Sequence, residues 1–369
     1  MYTSSDSDQR LTLPSSRTIL KGLKWFIIFT VIGTGTILWW KRPTSASILQ
    51  GNLDWVFAGL IIPLVAVDYL LGGLRFRLFF DGKILPFISI WDCMRSNWAN
   101  LFMSVVTPFN TGGGPAQLYI LWRKGAKIAD SLLVSMINFI ATLCFLLMAS
   151  MAALLLLPDD LFGVKLERLI QISFVLIFGL SFIMIMVMVF PGICTTLIEH
   201  LFRLVPIRSK TAESFKTKVL DILKGEALRF GTNFALIRRD KKGILILNLI
   251  ITIWLYFNKF LIGYLIARAL MQLVPFGIFI GLEILNYFVV LLAPTPGASG
   301  IAELSSVWVM ERVISGEVLF LFATLWRFFT VFIAACIGGA VLFFEVPGNL
   351  KSILPAGEKR KDQKNPGIA

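Results

Sequence analysis

Asn100–Leu118 reads NLFMSVVTPFNTGGGPAQL, and Asn286–Leu304 reads NYFVVLLAPTPGASGIAEL. Subtracting 186 from the second set of numbers lays it on the first without a gap. Asn286 falls on Asn100, Pro294 on Pro108, Gly300 on Gly114, Ala302 on Ala116 and Leu304 on Leu118, while Glu303 falls on Gln117. The shared pattern is an Asn, an apolar run, a Pro, a cluster of small residues, then Ala, an acid or amide, and Leu. A match of this length marks an internal repeat.

The physics of each copy is narrow. The apolar run before the proline is too short to cross a bilayer. Pro and Gly then end the helix. A second short apolar piece follows at once, Leu118–Trp122 in one copy and Leu304–Met310 in the other. Two short pieces around such a break predict a re-entrant hairpin, with its backbone buried in protein or lining a wet cavity. Interrupted segments at matching positions of two halves point to a transporter's substrate site.

Composition places the chain in a membrane. Apolar residues make up 57% and charged residues 15%, with a mean hydropathy of +0.80, far from soluble-domain usage. The four cysteines form no C-x-x-C pair and there is a single histidine, His200. No metal site and no cofactor are therefore expected. The net charge of +13 is assigned to loops facing anionic lipid, not to nucleic acid.

In chain order, residues 1–20 are expected to be a disordered cytoplasmic N-terminus. A transmembrane domain follows over 21–345, then a basic cytoplasmic tail over 346–369. Repeat one covers about 21–157 and repeat two about 169–344. Spans are expected at Trp25–Trp40, Leu53–Leu71, Ser131–Leu157, Leu169–Phe190, Ile244–Leu270 and Val318–Phe344. Short apolar or amphipathic pieces at Ile84–Arg95 and Leu273–Leu282 precede the hairpins. Arg75, Arg77 and Lys83 read as positive-inside markers, and Asp68 lies near the inner end of its span. The segment 192–242 carries eleven basic and five acidic residues, which marks it as cytoplasmic. Phe215, Val219, Ile222 and Leu223 recur in it at helical spacing, predicting an amphipathic helix on the membrane surface. Three spans separate the hairpins, so the second enters from the opposite side. The expected fold is an all-α polytopic membrane protein, with about six transmembrane helices and two re-entrant hairpins in an inverted-topology repeat.

Charges deep in apolar spans mark candidate site residues. Lys259 lies eleven residues before Leu270, roughly 16 Å from that end. Arg327 stands between Trp326 and Phe328 in the last span. Two such cations suit a phosphate; the competing reading is an internal ion pair with Glu303 or Glu283. Glu303 opens a new half-helix, where an acid complements the helix dipole or lines a cavity, and Gln117 is its neutral counterpart. Asn110, Thr111, Thr295 and Ser299 offer polar groups beside the breaks, and free N–H groups there would bind an anion. Pro108, Gly112, Gly113, Gly114, Pro294, Pro296, Gly297 and Gly300 shape the breaks. Asn100 and Asn286 support them. TGGG lacks the Lys-Ser/Thr of a nucleotide loop.

APTPGASGIAEL, TPFNTGGGPAQL and the order of spans resemble the lysylphosphatidylglycerol synthase transmembrane region family, also called flippase-like or UPF0104 proteins. The resemblance covers about residues 20–345. In multiple peptide resistance factors, this membrane half is held to flip aminoacylated phosphatidylglycerol, while a separate domain synthesises it. No synthase domain follows here, so the resemblance implies translocation of a phosphate-bearing lipid rather than aminoacyl transfer. It implies a bacterial inner membrane with both termini cytoplasmic, and carries function to Pro108, Gly114, Gln117, Pro294, Gly297, Gly300 and Glu303. Relatives often have a basic residue where this chain has Gln117. The expected partners are membrane lipids; a homo-oligomer and a lipid-modifying enzyme partner are both compatible. Two other readings are weighed. One is a membrane-embedded transferase on a lipid phosphate, for which no nucleotide or paired-acid motif is present. The other is a non-transporting partner docked through 192–242.

Overall fold

Proline decides where each break falls. The computed structural model describes residues 16–41, 53–158, 161, 164–190, 192, 196, 200 and 210–345. The polar stretch up to residue 15, the loop acids Asp159 and Asp160, most of 191–209 and the tail from 346 lie outside the described residues. The helices are α1 Ser16–Lys41, α2 Trp55–Arg77, α3 Ile90–Val106, α4 Gly113–Arg123, α5 Ile128–Leu156 and α6 Val164–Val189. They continue with α7 Lys210–Asp240, α8 Lys242–Ala269, α9 Phe276–Val290, α10 Ile301–Met310, α11 Gly316–Arg327 and α12 Ile333–Glu345. A π-helical turn, Phe328–Phe332, fuses α11 and α12 into one long helix. Among the described residues, six helices are long and apolar enough to cross a membrane: α1, α2, α5, α6, α8 and α11–α12. No strand occurs among the described residues. The chain is an all-α polytopic membrane protein.

The short pieces expected at Ile84–Arg95 and Leu273–Leu282 are not separate elements. Helix begins only at Ile90 and Phe276, and both helices then run on to the breaks. Ser89 caps α3 by accepting from the Asp92 N–H.

The repeat is gapless in sequence but not in turn position. The 3-10 turns are Pro108–Asn110 and Pro296–Ala298. In the repeat alignment the second turn therefore starts two residues late, because Pro296, not Pro294, opens it. Proline's fixed φ and missing N–H suit the first position of a helical turn. Left-handed backbone follows each proline, at Phe109 and Asn110 in one copy and at Gly297 and Ala298 in the other.

Each helix–break–helix pair closes on itself. At the open end of the first, Lys124 lies 3.2 Å from Asp92. At the open end of the second, the Ser315 N–H donates to Gln272 Oε1 at 3.1 Å. The two tips meet, with the Phe109 N–H donating to the Pro294 carbonyl at 3.4 Å. Helices α2 and α8 lie together as antiparallel neighbours. Asp81, beyond the end of α2, pairs with Lys241 at 2.6 Å, and the Asp54 N–H before α2 donates to the Ala269 carbonyl at 2.9 Å. The first hairpin opens beside the former contact and the second beside the latter, so their mouths lie at opposite ends of the bundle. Burial alone would raise the Asp81 carboxyl, but the hydrogen bonds and charges of Lys241 and Lys83 hold it below the usual range.

The first arm of each hairpin lies against the last span of the other repeat: α3 along α12, and α9 along α5. The α3–α12 crossing is tight. A Cβ on Gly338 would collide with the Trp98 carbonyl and stand 2.8 Å from Phe102 Cβ. Gly338→Val is therefore expected to cost roughly 1–3 kcal/mol by overpacking, read as a lowered unfolding midpoint in detergent. An unchanged midpoint would show that the two helices separate freely.

Helix α7 is amphipathic, and its C-terminal half docks on the rest of the protein. Phe230 and Ile237 pack into a cluster with Phe79, Phe80 and Leu133. Arg229 grips Asp130, at the start of α5, with two bonds of 2.8 and 2.7 Å. Asn233 donates to the same carboxylate at 2.7 Å. Glu226 accepts from the Ala129 N–H at 2.7 Å, satisfying a helix-start donor that Lys127 leaves open. The side chains of Phe215 and Val219 lie outside the described residues. Asp130 is fully buried while the Arg229 side chain is 34% exposed. Arg229→Ala should thus cost roughly 1–3 kcal/mol, discounted for solvent screening, and speed hydrogen exchange along α7. Equal exchange in both proteins would contradict this docking.

Candidate functional site

The second break is held by one buried ion pair. Glu303 sits at the third position of α10, so its side chain reaches back to the Gly300 N–H at 2.6 Å. Its other oxygen accepts from Arg327 Nε at 3.0 Å. Both side chains are at least 96% buried. Arg327 Nη2 donates to the Gly297 carbonyl at 2.7 Å and to Ser299 Oγ at 3.3 Å. Thr30 of α1 donates to the same Ser299 hydroxyl at 3.1 Å. Gly33, one turn further along α1, sits so close to Gly300 that a Cβ there would be 2.7 Å from its Cα. One guanidinium thus ties together the break, the half-helix after it and the last span, with α1 closing over it. The sequence offered two readings of Glu303, helix-dipole partner or cavity acid. The geometry makes it a cap and the partner of Arg327 at once.

The first break is neutral and more weakly tied. Asn100 donates to Gln117 Oε1 at 3.1 Å. Gln117 lies a full turn into α4, because that helix starts earlier relative to the repeat, so it cannot cap as Glu303 does. Thr107 instead accepts from the Gly112 N–H at 2.8 Å. A Cβ on Gly113 would collide with Ser104 Oγ and crowd Asn100, whereas Gly114 faces open space. The amides at Gly112 and Gly300, expected to be free for an anion, are thus taken by the chain's own Thr107 and Glu303.

Other predicted residues scatter. Thr111 bonds only within its turn, to the Pro108 carbonyl at 2.9 Å, and the Asn110 carbonyl accepts from Ser104 at 3.5 Å. Thr295 Oγ1 is buried without a partner among the described residues. Asn286 accepts from Ser305 at 2.8 Å. Pro108 and Pro294 are exposed at the tips, and Pro296 is buried.

Lys259 pairs with neither Glu303 nor Glu283. Its ammonium is 2.7 Å from Asp68 of α2. Next to Lys259, Asn258 donates to the Leu64 carbonyl at 2.9 Å, bracing the same crossing. Glu283 lies over Gly263, one turn along α8 from Lys259. It is 1% exposed, and neither oxygen has a hydrogen-bond partner among the described residues. Sequence reasoning noted Asp68 without choosing it, and read Arg75 as a surface marker. Arg75 is buried. A deep charge at i, i+4 and i+7 with Gly72 and Arg75 was the available signal for both.

An apolar cavity of about 540 Å³ lies between α5, α8 and α9, lined among others by Phe145, Ala149, Leu156, Phe257, Ile280 and Gly281. No group of three or more His, Cys, Asp or Glu side chains fit for a metal occurs among the described residues.

A UPF0104 membrane protein of Archaeoglobus fulgidus is 24% identical over 281 residues, 75% of this chain and 83% of that protein. The profile of the family described as the lysylphosphatidylglycerol synthase TM region matches residues 26–338. That range takes in both breaks, Lys259 and Arg327. The chain belongs to the lysylphosphatidylglycerol synthase transmembrane region family.

Proposed function

We propose that the chain moves a phosphate-bearing lipid between leaflets by alternating access, with the two hairpins as re-entrant, opposing gates. The observation that carries this reading is the meeting of the tips, Phe109 on Pro294, between mouths at opposite ends of the bundle. A substrate held near the tips would reach one side or the other as either hairpin shifts. The Glu303–Arg327 pair is the switch: in the observed state the carboxylate occupies the guanidinium, and an incoming phosphate competes for it. The apolar cavity between α5, α8 and α9 offers an acyl chain a lateral berth. The basic residues of α7 and of the first hairpin's mouth (Arg95, Arg123 and Lys124) favour the cytoplasmic side of the cytoplasmic membrane, with both termini there.

The test is leaflet exchange in liposomes holding fluorescent phosphatidylglycerol, with dithionite quenching the outer leaflet. The protein is expected to bleed signal beyond the outer-leaflet half. Glu303→Gln, which keeps the cap's shape, is expected to slow this by at least roughly tenfold, the weight of one charge-assisted bond. Equal rates for both proteins, or no exchange for any phosphate-bearing lipid with or without a pH gradient, would refute the reading.

A further inference from the structure

The deep charges of the bundle are mostly matched: Lys259 by Asp68, Arg327 by Glu303, Asp130 by Arg229. Arg75 is different. It is 8% exposed, and among the described residues its hydrogen bonds go only to neutral groups of α5, the Asn138 carbonyl and the Thr142 hydroxyl, the latter at 3.2 Å. Its Nε is buried with no partner among the described residues. A guanidinium keeps its charge. Buried among neutral groups, it leaves a field that an anion would compensate.

The α5 face beside it is also under-used. Ser131, Ser135, Asn138 and Thr142 recur every three or four residues and so share one face. Asn138 is 5% exposed, and neither its amide nitrogen nor its amide oxygen has a partner among the described residues. The hydroxyls of Ser131 and Ser135 are buried and, among the same residues, unpartnered as well. Orphaned groups at this density inside an apolar bundle call for an occupant. We propose that Arg75, Asn138 and Thr142 form an oxyanion site for a phosphate-type group, distinct from the Glu303–Arg327 pair. The group is either the phosphodiester of a lipid headgroup or free phosphate. The lipid arm rests on the translocator reading; the site itself does not.

The test is the unfolding midpoint of the purified full chain in neutral detergent, titrated with phosphatidylglycerol and, separately, with inorganic phosphate. Wild type is expected to rise saturably with one probe. A lipid response alone assigns a headgroup, and a phosphate response alone assigns the free ion. The Asn138 side chain bonds nothing among the described residues, so Asn138→Leu should leave the unliganded midpoint equal or higher. The same variant should weaken binding roughly tenfold, as loss of one hydrogen bond to a charged ligand does. Arg75→Lys keeps the charge but loses the planar fork, and should weaken binding further. Unchanged affinity in both variants, or no saturable response of wild type to either probe, overturns the site. Binding intact with no leaflet exchange would instead remove the translocator reading and leave the site standing.

Discussion

Arg327→Met is expected to destabilise the protein by roughly 3–5 kcal/mol, because it strands Glu303 as a buried charge. Leaflet exchange should fall to background. The same substitution frees the Gly297 carbonyl and half of the Ser299 contact, so the second break loses the side chain that fixes its position. The double variant Glu303→Gln/Arg327→Met separates structure from transport. With both charges gone, most of the lost stability should return, leaving a deficit of about 1 kcal/mol for the unpartnered carbonyl. Exchange should stay at background, since the competing guanidinium is missing. The unfolding midpoint and the dithionite assay, run on the same preparations, report the two effects. If the double variant exchanged lipid at the wild-type rate, the pair would be scaffold and nothing more.

Lys259→Met is the second large effect. Asp68 would remain buried, at 7% exposure, with no cation to answer it. The expected cost is again roughly 3–5 kcal/mol, with insertion retained because the span becomes more apolar. Asp68→Asn should cost a similar amount by stranding the ammonium. Combining the two should recover much of the loss, giving a coupling energy that a double-mutant cycle measures. Exchange is expected to be abolished in both single variants. Additive single effects with no coupling would show that the two residues do not share a pair in the membrane. Normal exchange by Lys259→Met would remove this crossing from the transport site.

The sequence showed the hairpins because Pro and Gly act locally. Pro108, Pro294, Pro296 and the glycines break helices wherever they stand, so the repeat could be read from spacing alone. Pairing across the bundle could not. Asp68 and Lys259 are 191 residues apart, and nothing in the pattern of α2 or α8 says which faces touch. Depth marked Lys259 as important but pointed to the wrong carboxylates. Arg75 was hidden for a different reason. It falls in the last turn of α2 beside Arg77, where the positive-inside pattern and a buried cation look alike. Arg77 instead is half-buried and donates to the Phe80 carbonyl at 2.7 Å near the end of the helix. The two-residue slip between the breaks was also legible in principle, since Pro296 has no counterpart at Asn110. For α7, apolar residues at helical spacing are equally suited to lipid or to a protein face. Asp130 and Arg229 decided between them.

The exchange of arms between the repeats sets a clock on assembly. Helix α3 needs α12 to cover it, but α12 is made long after α3. From the end of α4 at Arg123 to the end of α12 at Glu345, synthesis at about 5–20 residues per second takes roughly ten to forty seconds. For that interval the first hairpin, with its Asn100–Gln117 pair and its glycine break, waits without its cover. Neither half is a finished object on its own. A ribosome stalled before α12 would leave the nascent chain with those polar groups uncovered.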